Sequence, residues 1–234
     1  MKTITIILLI LSVMPSIGNA QTIENIFTIQ SGKVISNPNW IDPLFEENPI
    51  SPEVFIYQEK IVSKDAQSEY QISLYNYQQD ILDKEAGIFR IIKIKKGDKE
   101  LLKLAQADPW DTIPKRFTNS SIKYFITVPL TQKTTALLFT GHIYPNDPGL
   151  LTIVVLNGEE ATLVYNKPMY LIEISNNATS FSTYVADGFI QYFSGDDNNI
   201  SRMDTETLPY KYHIWSENGL LKIQNLGKIT KEFL

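Results

Sequence analysis

The chain has 234 residues, of which 43% are hydrophobic and 20% charged, with no cysteine and a formal net charge of −5. These values are ordinary for a globular protein and exclude collagen-like repeats, low-complexity disorder and disulfide-stapled miniproteins. The absence of cysteine also excludes thiol nucleophiles, thiolate zinc sites and iron–sulfur clusters. The acidic balance argues against a nucleic-acid partner.

Residues 1–20 have the pattern of a secretory signal peptide. Lys2 gives a positive start, residues 4–13 form an apolar run, and small residues, Gly18 and Ala20, stand where a signal peptidase reads. The run is shorter than the roughly 20 apolar residues that a membrane span needs. We therefore expect a mature chain that is secreted or periplasmic and does not span a membrane. Without a cysteine at the cleavage site it is not a bacterial lipoprotein, and the lack of disulfides favours a bacterial source.

The mature chain, residues 21–234, mostly alternates apolar and polar residues between turn residues, which predicts short strands. Its strongest local signal is Asn157-Gly158 between two such runs, which predicts a hairpin with a type I′ turn. Asn218-Gly219 and Ser31-Gly32 predict further hairpins. Residues 98–107 fit either a helix or the return strand of a hairpin, and we favour the strand. Residues 79–86 predict a short helix.

Two proline-rich segments interrupt this pattern, residues 37–52 and 108–114, and we expect both to be loops because proline cannot donate to a sheet ladder. The predicted fold is mainly β, an antiparallel sandwich or barrel-like architecture of about 10–13 strands with one or two short helices. A single β-rich domain over residues 21–234 is favoured. The alternative is two packed β-rich halves, residues 21–107 and 119–234.

The loop around residues 195–204 is a candidate calcium site, since it concentrates oxygen ligands. The helical calcium-loop motif fails there, because Arg202 and Leu208 occupy the positions of its glycine and its glutamate. An irregular calcium loop and a simple solvated turn both remain open. The residues that would bind the ion are Asp196, Asp197, Asn199 and Asp204.

Aromatic and histidine side chains supply the remaining candidates. Trp40 and Trp110 fall in the two proline-rich segments, where a tryptophan can stack on a sugar ring or anchor a protein partner. A structural role, closing one end of the fold, would explain them as well. His142 and His213 both project from the more polar face of a strand, where each is either a surface residue or a general base.

No catalytic or cofactor motif is found in the sequence. We therefore predict an exported bacterial β-rich protein with a non-catalytic binding or structural role, whose partner is a ligand, a glycan or an envelope protein. The alternative is a secreted hydrolase that acts through carboxylates, for which the sequence nominates no residues. No cofactor is expected apart from the candidate calcium ion.

Overall fold

The computed structural model describes residues 22–44, 51–79, 87–119, 121–141, 149–177, 180–188 and 209–229. These residues form fifteen strands, all in antiparallel ladders, and two short 3-10 helices. The prediction of a mainly antiparallel β fold is confirmed, and the strands outnumber the about 10–13 that the pattern indicated. The expected signal peptide and nearly all of the helix predicted at 79–86 lie outside the described residues.

In chain order the strands are β1 (Ile23–Asn25), β2 (Phe27–Gln30), β3 (Lys33–Ser36), β4 (Glu53–Val62), β5 (Glu69–Tyr77), β6 (Phe89–Lys96), β7 (Lys99–Asp111), β8 (Ile126–Pro129), β9 (Thr134–Gly141), β10 (Leu151–Asn157), β11 (Glu160–Lys167), β12 (Tyr170–Asn176), β13 (Phe181–Ala186), β14 (Tyr210–Glu217) and β15 (Leu220–Lys228). The 3-10 helices are Pro38–Trp40 and Lys115–Phe117.

The strands assemble into two sheets and a separate hairpin. The large sheet has the order β11-β10-β9-β7-β6-β5-β4, with β8 also paired to β9. The small sheet has the order β1-β15-β14-β13-β12, and β2 pairs with β3. The first described strand is thus hydrogen-bonded to the last one.

The turns at Ser31-Gly32 and Asn218-Gly219 form hairpins as predicted. Both residues of each pair have positive φ, 51° and 78° in the first and 54° and 78° in the second. Two positive φ angles are the requirement of a type I′ turn, and glycine meets it without a steric cost.

The hairpin at Asn157-Gly158 is also confirmed, but the type I′ turn that was predicted for it is wrong. Asn157 is still in the ladder, opposite Glu160, so that the two central residues are Gly158 and Glu159. Of these only Gly158 has positive φ, 63°, which is the pattern of a type II′ turn. The Asn157 side chain explains the shift. Its amide donates to the carbonyl of Gly32 at 2.7 Å, which holds the residue in the strand.

Residues 99–111 form strand β7, so the preference for a return strand is confirmed. The loop predicted at 108–114 is wrong for residues 108–111, which belong to this strand. Ala105 lies opposite Ile91 and Trp110 opposite Phe89, so residues 106–109 face a single residue of β6. Such a bulge accommodates a proline that would otherwise break the ladder. The first proline-rich segment is ordered loop where described, with the 3-10 helix at Pro38–Trp40.

Two hydrophobic cores lie on opposite faces of β9 and β10. Ala136, Leu138, Ile153 and Val155 belong to the core shared with the small sheet. Leu137, Phe139, Val154 and Leu156 belong to the core shared with β4–β7. Because neighbouring residues of a strand point to opposite sides, β9 and β10 form a central layer that is buried on both faces.

The large sheet contains strands from both sides of residues 112–118. Strands β4–β7 precede this segment, and β8–β11 follow it. The division of the chain into one domain or two stays a prediction. None of the helices in the described part of the chain has the length and apolarity that a membrane crossing requires.

Candidate binding face

The small sheet has one face against the core and one face towards solvent. Phe181, Val185, Ile214 and Ile223 are buried in the core on its inner side. Since side chains alternate along a strand, the residues between them point outward. The strand register aligns these residues in two rows that cross all five strands, which together we call the outer face. The first row is Ser175, Ser182, Trp215, Lys222 and Asn25, and the second is Glu173, Tyr184, His213, Gln224 and Ile23.

Three aromatic rings of the outer face are stacked on one another. Tyr184 lies directly opposite His213, with ring centroids 4.6 Å apart and planes inclined by 15°. His213 stacks on Trp215 at 4.7 Å and 17°. The Lys211 ammonium lies 4.4 Å from the centre of the Tyr184 ring. The order is therefore ammonium, phenol, imidazole and indole, and we call this arrangement the aromatic stack.

The stack is supported by the sheet beneath it. Opposed aromatic side chains on neighbouring strands contribute roughly 0.5–1.5 kcal/mol per pair beyond the area they bury. All four side chains of the stack are partly exposed. The backbone of β13 and β14 fixes the positions from which they project, so little conformational freedom is left for a ligand to remove.

A hydrogen bond fixes the imidazole further. Ser182 Oγ and His213 Nε2 are 2.8 Å apart. Partial burial lowers the pKa of His213 below its ordinary value, and the positive charge of Lys211 lowers it further. The ring is therefore neutral at pH 7, and its Nε2 can accept the proton of the Ser182 hydroxyl.

An ion pair lies beside the indole end of the stack. Glu217 pairs with Lys222, which lies opposite Trp215 on β15. Lys222 is the main reason why the pKa of Glu217 is lowered, and the Trp215 side chain is the smallest cause.

Trp40 lies against the core of the small sheet. Its ring stacks on Tyr165 at 5.9 Å and meets the edge of Tyr212 at 6.2 Å. Its Nε1 is buried and has no hydrogen-bond partner in the described part of the chain. These contacts correspond to the structural role that the sequence left open, and a ligand contact for Trp40 stays a prediction.

Trp110 is fully buried and belongs to the core shared with β4–β7. Its ring stacks on Phe89 at 5.8 Å, and its Nε1 donates to Thr152. It presents no surface to a ligand in this structure. As far as Asp111 its segment is a strand, not the loop that the binding hypothesis assumed.

Of the other residues that the sequence proposed as candidates, only His213 lies within the described part of the chain. The proposed calcium ligands Asp196, Asp197, Asn199 and Asp204, together with His142, lie outside the described residues. His213 does share the polar face of its strand with Lys211 and Trp215, as the alternation predicted.

The sequence indicates only part of the aromatic stack. Alternation in Lys211-Tyr212-His213-Ile214-Trp215 puts the lysine, histidine and tryptophan on one face. Which residue of which strand faces them depends on register, and Tyr184 precedes the first residue of that strand, Tyr210, by 26 positions. The stack could be assembled only from the pairing of β13 with β14.

Comparisons with protein-family models, with curated proteins and with solved structures found no match.

Proposed function

We propose that this chain is an exported bacterial protein with a non-catalytic binding role, and that the outer face of the small sheet contacts its partner. The observation that carries the proposal is the aromatic stack. Three rings and an ammonium group are held in fixed order on a partly exposed sheet face.

Tyrosine, tryptophan and arginine are over-represented among residues that dominate binding energy. The stack contains the first two of these types within two adjacent strands. Because the rings support one another, they can meet a partner without first being ordered, which lowers the entropic cost of binding.

Export is supported by the sequence pattern of residues 1–20. The test is to express the full chain in a bacterium and determine the N-terminal sequence of the protein in the periplasm and the medium. A mature chain that starts at Gln21 in either compartment supports export. Recovery of the uncleaved chain from the cytoplasm alone contradicts it.

The binding role can be tested by photo-crosslinking in the source cell. A benzoylphenylalanine probe would replace Ser175, which is exposed at the edge of the outer face. The matched control would carry the probe in place of Ile122, which is 68% exposed and lies outside both sheets. An adduct from position 175 alone supports the proposal, whether it is discrete, as for a protein partner, or migrates broadly, as for a polysaccharide. Equal adducts from both positions, or none from either, contradict it.

A second candidate function is acyl transfer by Ser182. The 2.8 Å contact with a neutral His213 is the geometry of a serine and its general base. In that reaction Ser182 Oγ attacks an acyl carbon, its proton passes to His213 Nε2, and the leaving group takes that proton as it departs. An oxyanion would need donors beside Ser182, but β13 is paired on both sides, by β12 and β14. The binding role is therefore favoured.

A fluorophosphonate probe distinguishes the two candidates. Covalent labelling that is lost in Ser182→Ala and in His213→Gln would establish the reactive serine. No labelling of the wild type at millimolar probe would exclude it. The carboxylate-dependent hydrolase stays a prediction from the sequence.

A further inference from the structure

We propose that the partner of the outer face is a neutral polysaccharide, whose chain lies across the strands with one sugar ring on Trp215. This inference rests on the binding role proposed above and names its ligand class. It depends on the charges, the uncharged polar groups, the length and the end ring of the outer face.

The charges of the outer face balance. Within its two rows Lys222 is positive and Glu173 negative, and directly beside the rows on β14 Lys211 is positive and Glu217 negative. A polyanion such as a nucleic acid or an acidic glycan would meet a negative group for every positive one, so no charged polymer gains from the local field. A neutral ligand has no such conflict.

The uncharged groups of the outer face suit hydroxyl groups. Ser175, Ser182, Asn25 and Gln224 supply hydroxyl and amide groups, which both donate and accept hydrogen bonds. Ile23 is the one aliphatic residue of the two rows, at their edge. A protein partner normally buries an interface centre more apolar than this, and a lipid surface requires an apolar face.

The outer face is open and elongated. Each row crosses five strands, and four spacings of roughly 4.8 Å give a path of about 19 Å. Such a path has room for several linked sugar units. A small ligand would instead be expected in a concave pocket that covers most of its surface.

Trp215 is the end ring of the aromatic stack. Within the stack, the faces of His213 are covered by Tyr184 and Trp215, and the outer side of Tyr184 by Lys211. Trp215 therefore has one ring face that no other member of the stack covers, and it is only partly buried. The axial C–H groups of a sugar ring can pack on the electron-rich face of an indole.

The test is affinity electrophoresis of residues 21–234 in gels that contain β-glucan, xylan, mannan or glycogen, with alginate as the anionic comparison. We expect retardation by at least one neutral polysaccharide and none by alginate. Trp215→Ala should weaken that binding by at least about tenfold, as expected for a central aromatic contact. The matched control is Tyr57→Ala, which removes one ring of another stacked pair, Tyr57 and Tyr124, 4.4 Å apart on the other side of the molecule's central layer.

A second variant keeps the test decisive if Trp215→Ala does not fold. Ser175→Arg places a long side chain on the first row at an exposed edge position, and it should block a bound chain while the thermal midpoint stays that of the wild type. Loss of retardation in both variants, with Tyr57→Ala unaffected, supports the proposal. Retardation that survives Ser175→Arg and Trp215→Ala overturns it.

Failure of this inference can be told from failure of the binding role. If no neutral polysaccharide retards the protein but the probe at position 175 forms a discrete protein adduct, the outer face binds and the glycan assignment is wrong. If neither is seen, both proposals are wrong. Retardation by alginate alone also overturns the assignment, because it would show that the positive groups dominate.

Discussion

The indole Nε1 of Trp110 donates a hydrogen bond to Oγ1 of Thr152, 2.9 Å away, and neither residue is exposed to solvent. The same threonine hydroxyl donates to Asn166 Oδ1 at 2.8 Å. Asn166 in turn donates to the carbonyl of Asp42 at 3.1 Å. A line of hydrogen bonds therefore runs from β7 through β10 and β11 to the loop after the first 3-10 helix.

We expect Thr152→Val to destabilise the protein by about 1–3 kcal/mol, although valine has nearly the same shape and is more apolar. The substitution leaves two buried side-chain atoms, Trp110 Nε1 and Asn166 Oδ1, without this partner. The control is Thr183→Val, since Thr183 is equally buried but makes its side-chain bond to one backbone carbonyl, that of Glu173. Urea unfolding measures both. An equal or smaller loss in Thr152→Val would show that the line of hydrogen bonds adds nothing.

The protonation of His213 should report the environment of the aromatic stack. We expect its NMR titration midpoint below 6.5, because burial and then Lys211 both disfavour the charged ring. Lys211→Met should raise the pKa of His213 only part of the way back towards 6.5, because burial is the larger cause of the lowering. His142→Gln identifies which signal belongs to which histidine.

The lowered pKa of His213 also makes the free energy of unfolding depend on pH. The unfolded chain binds a proton at His213 near pH 6.5 and the folded chain only at lower pH, so the contribution is complete above 6.5. It is lost as the pH falls from 6.5 towards the lowered folded value. In His213→Gln the free energy of unfolding should therefore decline less over this window. A wild-type midpoint at or above 6.5 would contradict both expectations.

Glu53 should contribute more to stability at neutral than at acid pH. Burial alone would raise its pKa, but hydrogen bonds from Lys93 at 2.5 Å and Lys103 at 3.2 Å outweigh it, so the pKa lies below 4.5. A lowered carboxyl pKa gives stability that is present above the unfolded value and lost as the pH falls through the folded one. The difference in unfolding midpoint between wild type and Glu53→Gln should therefore shrink from about pH 6 to about pH 3, and also in about 1 M salt. A difference that is constant across this range would show that Glu53 is not ion-paired in solution.

Gly219→Ala should destabilise the protein more than Gly97→Ala. Both glycines have positive φ, 78° and 56°, so each alanine pays about 1–2 kcal/mol for the left-handed conformation. A Cβ at Gly97 would meet nothing within 4 Å, whereas one at Gly219 would lie 2.6 Å from Thr131 Cγ2. Thr131 cannot easily turn away, because its hydroxyl accepts from the backbone amides of Lys133 and Thr134.

Thr131→Ser is the diagnostic partner of that substitution. Serine keeps the hydroxyl and removes the methyl group that would clash, so it should restore Gly219→Ala to about the stability of Gly97→Ala. Thermal unfolding of the single and double variants measures the effect. If Thr131→Ser does not restore the stability of Gly219→Ala, the loss comes from the left-handed backbone conformation at residue 219 and not from the contact with Thr131.

Local signals predicted much of the fold. Alternation of apolar residues predicted strands, and the three glycine-containing turns predicted three hairpins, because the chemistry of a short turn is decided by adjacent residues. The exact turn at Asn157 was missed because its position depends on the carbonyl of Gly32, 125 residues away. The strand at Trp110 was missed for a related reason, since its proline is tolerated only in a bulge created by the pairing of β7 with β6.

The candidate site was less predictable than the fold. A tryptophan near prolines looked like an exposed loop residue, yet burial of Trp110 depends on contacts with Phe89 and Thr152 from other strands. Trp215, within an ordinary strand pattern, is the tryptophan that reaches the outer face. Sequence alternation gave its direction, but only strand register shows that Tyr184 completes the stack.

The pairing of β1 with β15 has a consequence for the order of events during folding. Residues 23–25 pair with residues 222–224, which lie roughly 200 positions further along the chain. Contacts between such distant residues form slowly, because the long loop between them must first be closed. We therefore expect Ile23 and Asn25, which complete one end of both rows of the outer face, to take their places after the local hairpins β12–β13 and β14–β15 have formed.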